Sequence, residues 1–199
     1  MGSLSKNMNV RQALRQSMRQ KRRALSPKQQ NIAARRLLAE IKKRPLIQKA
    51  KHLALYLPND GELDPTPIIQ WCWQQKKTVY LPVLHPLSHN RLWFVRYTQY
   101  TPMTRNLYGI LEPTTPYRFI RPAKMLDIVL LPLVAFDKNG GRLGMGGGYY
   151  DRTFSFIRQY NAQKPRLIGL AHELQKVEKL PVESWDVPLT GVVTDGGFY

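Results

Sequence analysis

The stretch richest in chemistry is Arg142-Leu143-Gly144-Met145-Gly146-Gly147-Gly148-Tyr149-Tyr150-Asp151-Arg152. Glycines at alternate positions let a backbone bend and approach a ligand closely. Successive exposed N–H groups leading into a helix start form a ready anion site. Arg142 and Arg152 frame the glycines with guanidinium groups that stay charged and pair two-pronged with phosphate oxygens. The combination spells a phosphate cradle. Asp151, just past it, is the carboxylate that Mg²⁺ takes beside phosphate oxygens and water. Read alone, that aspartate is better explained as a helix cap or an ion pair with Arg152. Two common glycine motifs do not account for the loop. A Walker loop needs Lys and Ser or Thr after its last glycine, where Tyr149-Tyr150 stand. A dinucleotide fingerprint needs its glycines directly after a strand, and about ten residues separate Leu131 from Gly144. A plain flexible loop remains as the alternative, and the charged and aromatic frame argues against it.

The elements that must hold this loop follow from periodicity. Val10, Leu14 and Met18 recur every four residues and predict a helix from about 9 to 24. Ser26-Pro27-Lys28-Gln29 reads as a helix start with a capping box, opening a second helix to about residue 43 with Ala34, Leu37, Leu38 and Ile41 on one face. Beyond it short apolar runs alternate with helical stretches. Strands are expected over 52–57, 78–81, 91–97, 127–131, 166–170 and 191–194, with helices over 64–75 and 149–159. Pro58-Asn59-Asp60-Gly61 ends the first strand in a turn, and residues 98–125 read as irregular. The run 127–131 is nearly all apolar and belongs in the middle of a sheet. The pattern predicts an α/β sandwich with a mostly parallel sheet in one domain spanning 1–199, with no linker dividing it.

Composition removes other classes. With 43% hydrophobic and 22% charged residues the chain is not a disordered one. Its single cysteine, Cys72, makes neither an internal disulfide nor a zinc cluster. No apolar run reaches membrane-spanning length and no secretory pattern opens the chain, so a cytoplasmic location without a membrane partner is expected. The charge, +18 overall, is concentrated: residues 1–51 hold fifteen Lys and Arg against one acid, Glu40. Such an arm suits a polyanion such as nucleic acid, a lipid surface or nucleotide phosphates, or is a solvated helix face. A nucleic-acid module would interleave aromatics with the basic residues, and this arm has no Phe, Tyr or Trp. His52, His85, His89 and His172 lack metal-ligand spacing and read as structural or surface residues.

The loop and its context resemble the 5-formyltetrahydrofolate cyclo-ligase family, also called methenyltetrahydrofolate synthetases. Carrying the resemblance are the stretch from Arg142 to Arg152 and the preceding Pro132-Leu133-Val134-Ala135-Phe136-Asp137. Three landmarks agree in order: Asp60-Gly61-Glu62, Gly109-Ile110-Leu111-Glu112-Pro113 and Asp186-Val187-Pro188. It implies a three-layer α/β/α fold and an ATP- and Mg²⁺-dependent conversion of 5-formyltetrahydrofolate to 5,10-methenyltetrahydrofolate with release of ADP and phosphate. The resemblance assigns ATP to Arg11, Arg15, Arg142, Leu143, Gly144, Met145, Gly146, Gly147, Gly148, Tyr149 and Tyr150, with Arg142 the catalytic residue. It gives the folate Leu57, Glu62, Tyr108 and the stretch Met145 to Tyr149, and Mg²⁺ to Asp151 and Asp186. Two positions depart from what members carry, Arg11 where many have Lys and Gly147 where some have Lys. Arg19, Arg22 and Arg23 are expected to steer anions at long range. No protein partner is expected. The competing functions are a small-molecule kinase, which would keep a phosphorylated product, and a basic nucleic-acid-binding module, which would leave the glycine loop, Asp151 and Asp186 without a task.

Overall fold

Along each central strand, successive apolar residues point to opposite faces and are covered by different helices. The structure, a computed structural model, describes residues 2–114 and 117–199. In chain order the elements are α1 (Gly2–Arg23), α2 (Pro27–Lys42), α3 (Pro45–Lys49), β1 (His52–Ala54), α4 (Thr66–Gln74), β2 (Thr78–Leu84) and β3 (Leu92–Tyr97). They continue with β4 (Met103–Arg105), β5 (Leu111–Pro113), β6 (Ile120–Arg121), β7 (Ile128–Pro132), β8 (Ala135–Phe136), β9 (Arg142–Leu143), α5 (Tyr149–Thr153), α6 (Ser155–Gln159), β10 (Arg166–Leu170) and β11 (Gly191–Val193). Seven strands form the main sheet in the order β11-β10-β7-β1-β2-β3-β6. The pairs from β11 to β2 are parallel; β3 and β6 extend the sheet antiparallel.

Three layers result. Leu53, Ile128, Leu130, Ile168, Leu170 and Val193 face α2, α3 and α4, whose Leu37, Ile41, Ile47, Ile68 and Cys72 complete that core. The alternate residues Ala54, Val129, Leu131, Leu167 and Val192 face the other side, filled by Phe94, Phe154 and the partly buried Phe156 and Ile157 of α6. The expected α/β/α sandwich with a mostly parallel sheet is therefore present. Ser26 caps α2 with the expected box: its hydroxyl accepts the Gln29 N–H while the Gln29 side chain accepts the Ser26 N–H. The α1 helix lies apart from these layers. Met18 and Leu14 pack on Val134, Ala135 and Leu143, which belong to the β8–β9 hairpin and its approach, together with Leu180.

Several boundaries differ from the sequence expectation. The helix expected over 149–159 is two helices, because the fully buried Phe154 takes φ −104° and ψ 13° between them. Its ring packs on Phe94 and stacks on Tyr150. The stretch expected to be irregular holds the β4–β5 hairpin and β6. The first strand pairs only over three residues, after which the chain turns out of the sheet towards Asp60.

One buried carboxylate fixes the approach to the glycine loop. Asp137 Oδ1 accepts the backbone N–H groups of Asn139 and Gly141, and its Oδ2 accepts that of Leu180, all at 2.8 Å. Asp137→Ala strands these donors, two of them buried, and is expected to cost about 3 kcal/mol or more. Urea unfolding measures it; a loss below about 1 kcal/mol would show that the surroundings satisfy those donors without the carboxylate.

Candidate active site

In the parallel part of the sheet the chain runs from β1 to β2 on one side and then to β7 on the other. The order reverses between β1 and β7, and such sheets bind ligands in the crevice outside the carboxyl ends of the strands at that point. The two segments leaving these ends are the turn at residues 58–62 and, after β8 and β9, the glycine loop. The α1 helix bridges them.

The loop has the required backbone freedom. Gly146 has φ +102°, and Gly148 sits left-handed at φ +67° as the residue before α5. Gly144, Met145, Gly146 and Gly147 are exposed. Arg152 Nη1 donates to the Gly147 carbonyl at 2.7 Å and folds back over the loop. Arg15 lies against it from α1, donating from Nε to the Gly144 carbonyl at 2.9 Å. Burial and the neighbouring Arg11 lower the pKa of Arg15. The Leu143 side chain is fully buried, so only its backbone lies on the ligand side of β9. Tyr150 packs into the core, while Tyr149 stands further out and shares a 2.7 Å hydrogen bond between its hydroxyl and that of Tyr108, at the tip of the β4–β5 hairpin.

Two arginine–aspartate pairs close one end. Arg142, buried on β9, donates from Nη2 to Asp151 Oδ1, and that oxygen also accepts the Val187 N–H at 3.1 Å. Arg11, also buried, donates from Nη1 to the Pro181 carbonyl at 2.9 Å and to Asp186 Oδ2 at 3.3 Å; that oxygen in turn accepts the Glu183 N–H. Burial lowers the pKa of Arg142, and the nearby Asp151 and Asp186 oppose the shift. Residues 35 positions apart thus reach one place, because Asp151 holds the residue that follows Asp186. In each carboxylate one oxygen takes both the arginine and a backbone N–H. The other oxygen makes no hydrogen bond among the described residues, so two hard oxygen donors fit a magnesium ion. Among the described residues no three His, Cys, Asp or Glu side chains cluster as a metal site.

The other end is built on Asp60. Arg19 donates from Nε to Asp60 Oδ2 at 2.7 Å, Arg22 from Nη2 to the same oxygen at 2.9 Å, and Arg23 from Nε to Oδ1. Burial pushes the Asp60 carboxyl upward, but the hydrogen bonds from Arg19, Arg23 and Arg22 outweigh it and hold its pKa below the ordinary value. This corrects the steering expectation for Arg22 alone, since Arg19 and Arg23 keep 37% and 56% of their side chains exposed. All three converge on one carboxylate, and Arg22, with 0% of its side chain exposed, has no reach to solvent. Beside them Glu62 accepts the Asn59 N–H, and burial raises its pKa to about 7 against the opposing charge of Arg22. Leu57 is partly buried nearby in the chain, against the core. His172, which the sequence reading treated as structural or surface, is buried with Nε2 3.3 Å from the Gly61 carbonyl, and burial lowers its pKa. Nothing in the local sequence marks Arg22 or His172, since each meets its partner across 38 or 111 positions.

The sequence pattern of the 5-formyltetrahydrofolate cyclo-ligase family fits residues 7–195. The chain belongs to that family. A protein named 5-formyltetrahydrofolate cyclo-ligase from Escherichia coli K12 is 45% identical over 177 residues, covering 89% of this chain and 96% of its own. One of the same name from Haemophilus influenzae is 43% identical over 187 residues, covering 94% and 98%. An NMR structure of Aquifex aeolicus 5,10-methenyltetrahydrofolate synthetase superimposes with a TM-score of 0.79 at 30% identity, covering 95% of this chain and 91% of that one. The family match thus takes in both arginine–aspartate pairs, the glycine loop and the turn carrying Glu62. No helix of the described residues is long and apolar enough to cross a membrane.

Proposed function

We propose that this family member performs the ATP- and Mg²⁺-dependent closure of 5-formyltetrahydrofolate to 5,10-methenyltetrahydrofolate, releasing ADP and phosphate. The observation that carries the reading is the meeting of a glycine loop suited to anions with the partly buried Glu62 at the switch point, bridged by the arginines of α1. A formamide oxygen leaves poorly. Transfer of the γ-phosphoryl group to it creates an imidate-like phosphate. The N10 nitrogen of the substrate then attacks the formyl carbon, its proton departs, and phosphate leaves with the C–O bond electrons. Both nucleophiles belong to the substrate, so the chain supplies position and charge stabilisation, the main levers in phosphoryl transfer.

In this reading Arg11, Arg15 and the segment 142–150 hold ATP, and Arg142 faces the phosphoryl group in flight. Leu57, Glu62, Tyr108 and the segment 145–149 hold the folate. Glu62 accepts from two N–H groups of the pterin, a pairing that suits a carboxylate. Asp151 and Asp186 would hold the magnesium ion, which supplies charge neutralisation of the phosphates. The chain works as one domain in the cytoplasm and needs neither nucleic acid nor a protein partner.

The purified protein with 5-formyltetrahydrofolate, ATP and Mg²⁺ is expected to develop the methenyl absorbance, releasing one phosphate per product. EDTA should stop the reaction and excess Mg²⁺ restore it. A stable phosphorylated product without the chromophore would make the protein a kinase, and neither signal from folded protein would remove the activity altogether.

A further inference from the structure

One buried charge has no task in the chemistry described so far. Arg22 donates from Nε to the Asp60 carbonyl at 2.7 Å and from Nη2 to Asp60 Oδ2, yet its Nη1, also buried, has no hydrogen-bond partner among the described residues. Native structures rarely leave such a donor unmet, least of all on a cation. The described residues supply no acceptor there. The guanidinium lies beside the folate carboxylate, with Nη2 3.9 Å from Glu62 Oε1. The Met145 sulfur, from the glycine loop, is 3.8 Å from Nη2, and Met145 is 48% exposed, so a flexible side chain closes this corner towards solvent. The backbone around Arg22 is fixed. Gln30 donates to the carbonyls of Arg22 and Gly61, and a Cβ on Gly61 would come within 3.1 Å of the Arg22 carbonyl oxygen.

We propose, resting on the folate reading of this site, that Arg22 is its second recognition group: Nη1 donates to the pterin carbonyl while Glu62 accepts from the two N–H donors next to it. The pterin edge presents a carbonyl, a ring N–H and an exocyclic amine in a row. A carboxylate satisfies the two donors and offers nothing to the carbonyl; a guanidinium at its side completes the set. Met145 swings aside as the ring enters.

Arg22 also acts through Glu62. Only the ionised carboxylate accepts from both donors. The groups facing it are Arg22 from α1, Asp60 on its own turn, with that residue's partners Arg19 and Arg23, Tyr56 after β1, and Tyr150 of α5; His172 after β10 sits against Gly61. Among them Arg22 is the strongest influence towards the charged form, against burial that holds the pKa near 7. Folate binding therefore weakens as pH falls below that value, and loss of the Arg22 charge moves this acidic limb to higher pH.

The test compares the wild type with Arg22→Met and Arg22→Lys. Folate and ATP KM are measured against pH, and calorimetry without ATP follows binding of tetrahydrofolate analogues carrying oxygen or an amino group at ring position 4. Arg22→Met is expected to raise the folate KM about tenfold or more at pH 7, to leave the ATP KM within about twofold, and to move the acidic limb up by about one pH unit. Arg22→Lys keeps the limb, because the charge stays, but loses about tenfold in affinity for the 4-oxo analogue, since an ammonium lacks the planar fork that spans Asp60 and the ring. The 4-amino analogue also lacks the ring N–H that Glu62 accepts, so the wild-type preference for the 4-oxo form should shrink by about tenfold in both variants while the part due to Glu62 remains. A folded Arg22→Lys protein with wild-type affinity and an unchanged analogue ratio overturns the proposal. So does an equal rise of both KM values with an unmoved limb, which marks a purely structural residue. If Arg22→Met does not fold, the lysine variant and the analogue ratio decide. A wild type that makes no methenyl product removes the cyclo-ligase reading, and the binding ratio then judges Arg22 by itself.

Discussion

Replacing Arg142 by alanine is expected to lower turnover by about two to three orders of magnitude, equivalent to roughly 3–4 kcal/mol of lost transition-state stabilisation. The residue is 7% exposed, sits on the short β9 strand opposite Phe136, and is fixed by its pair with Asp151. A guanidinium held this firmly needs no reorganisation when charge moves onto the phosphoryl oxygens, and its buried surroundings strengthen the interaction. The substitution also leaves the Asp151 charge uncompensated next to the incoming phosphates, which adds to the loss. Arg142→Lys restores charge without the planar fork and should recover only part of the rate. Single-turnover measurements on protein whose thermal unfolding is checked separate catalysis from folding. Near-normal turnover in a folded Arg142→Ala protein would remove Arg142 from the chemistry.

Asp151→Asn and Asp186→Asn are each expected to raise the magnesium concentration for half-maximal rate by about tenfold or more. In both residues one oxygen already serves an arginine and a backbone N–H, and the amide oxygen of asparagine can keep both contacts. The fold is thus preserved while the charge that attracts a hard cation is lost. The two variants differ in a second respect. The Asp151 variant leaves the charge of the buried Arg142 uncompensated, whereas the Asp186 variant leaves that of Arg11, so saturating magnesium should rescue Asp186→Asn more fully. Magnesium titration of the rate gives both quantities. An unchanged titration for either variant makes that aspartate only the partner of its arginine.

The parts of the molecule visible in the sequence were those whose signal is local. The apolar runs around Leu53, Val129 and Ile168 mark buried parallel strands because both faces of such strands are covered. The Ser26 capping box is a pattern of four residues and appears as written. The glycine loop is legible because its backbone turns are set by neighbouring residues, with Gly146 and Gly148 at positive φ. The break at Phe154 was not legible, since a ring drawn between Phe94 and Tyr150 decides it. Nor was the β4–β5 hairpin, whose strands of three residues are too short for a period. The sharpest miss was Arg22. In a run of basic residues it looked like surface charge, and only Asp60, 38 positions away, turns it inward.

The contacts of Arg11 carry a temporal consequence. Its partners Pro181 and Asp186 follow it by 170 and 175 positions. Asp151 likewise depends on Val187. On a ribosome the glycine loop emerges well before the segment that fixes its acidic partners. The end of the crevice that holds the two arginine–aspartate pairs therefore closes only once residues 181–187 are free, and shorter translation products have the loop without these contacts. A nascent chain stalled before residue 180 therefore lacks the partners of both Arg11 and Asp151.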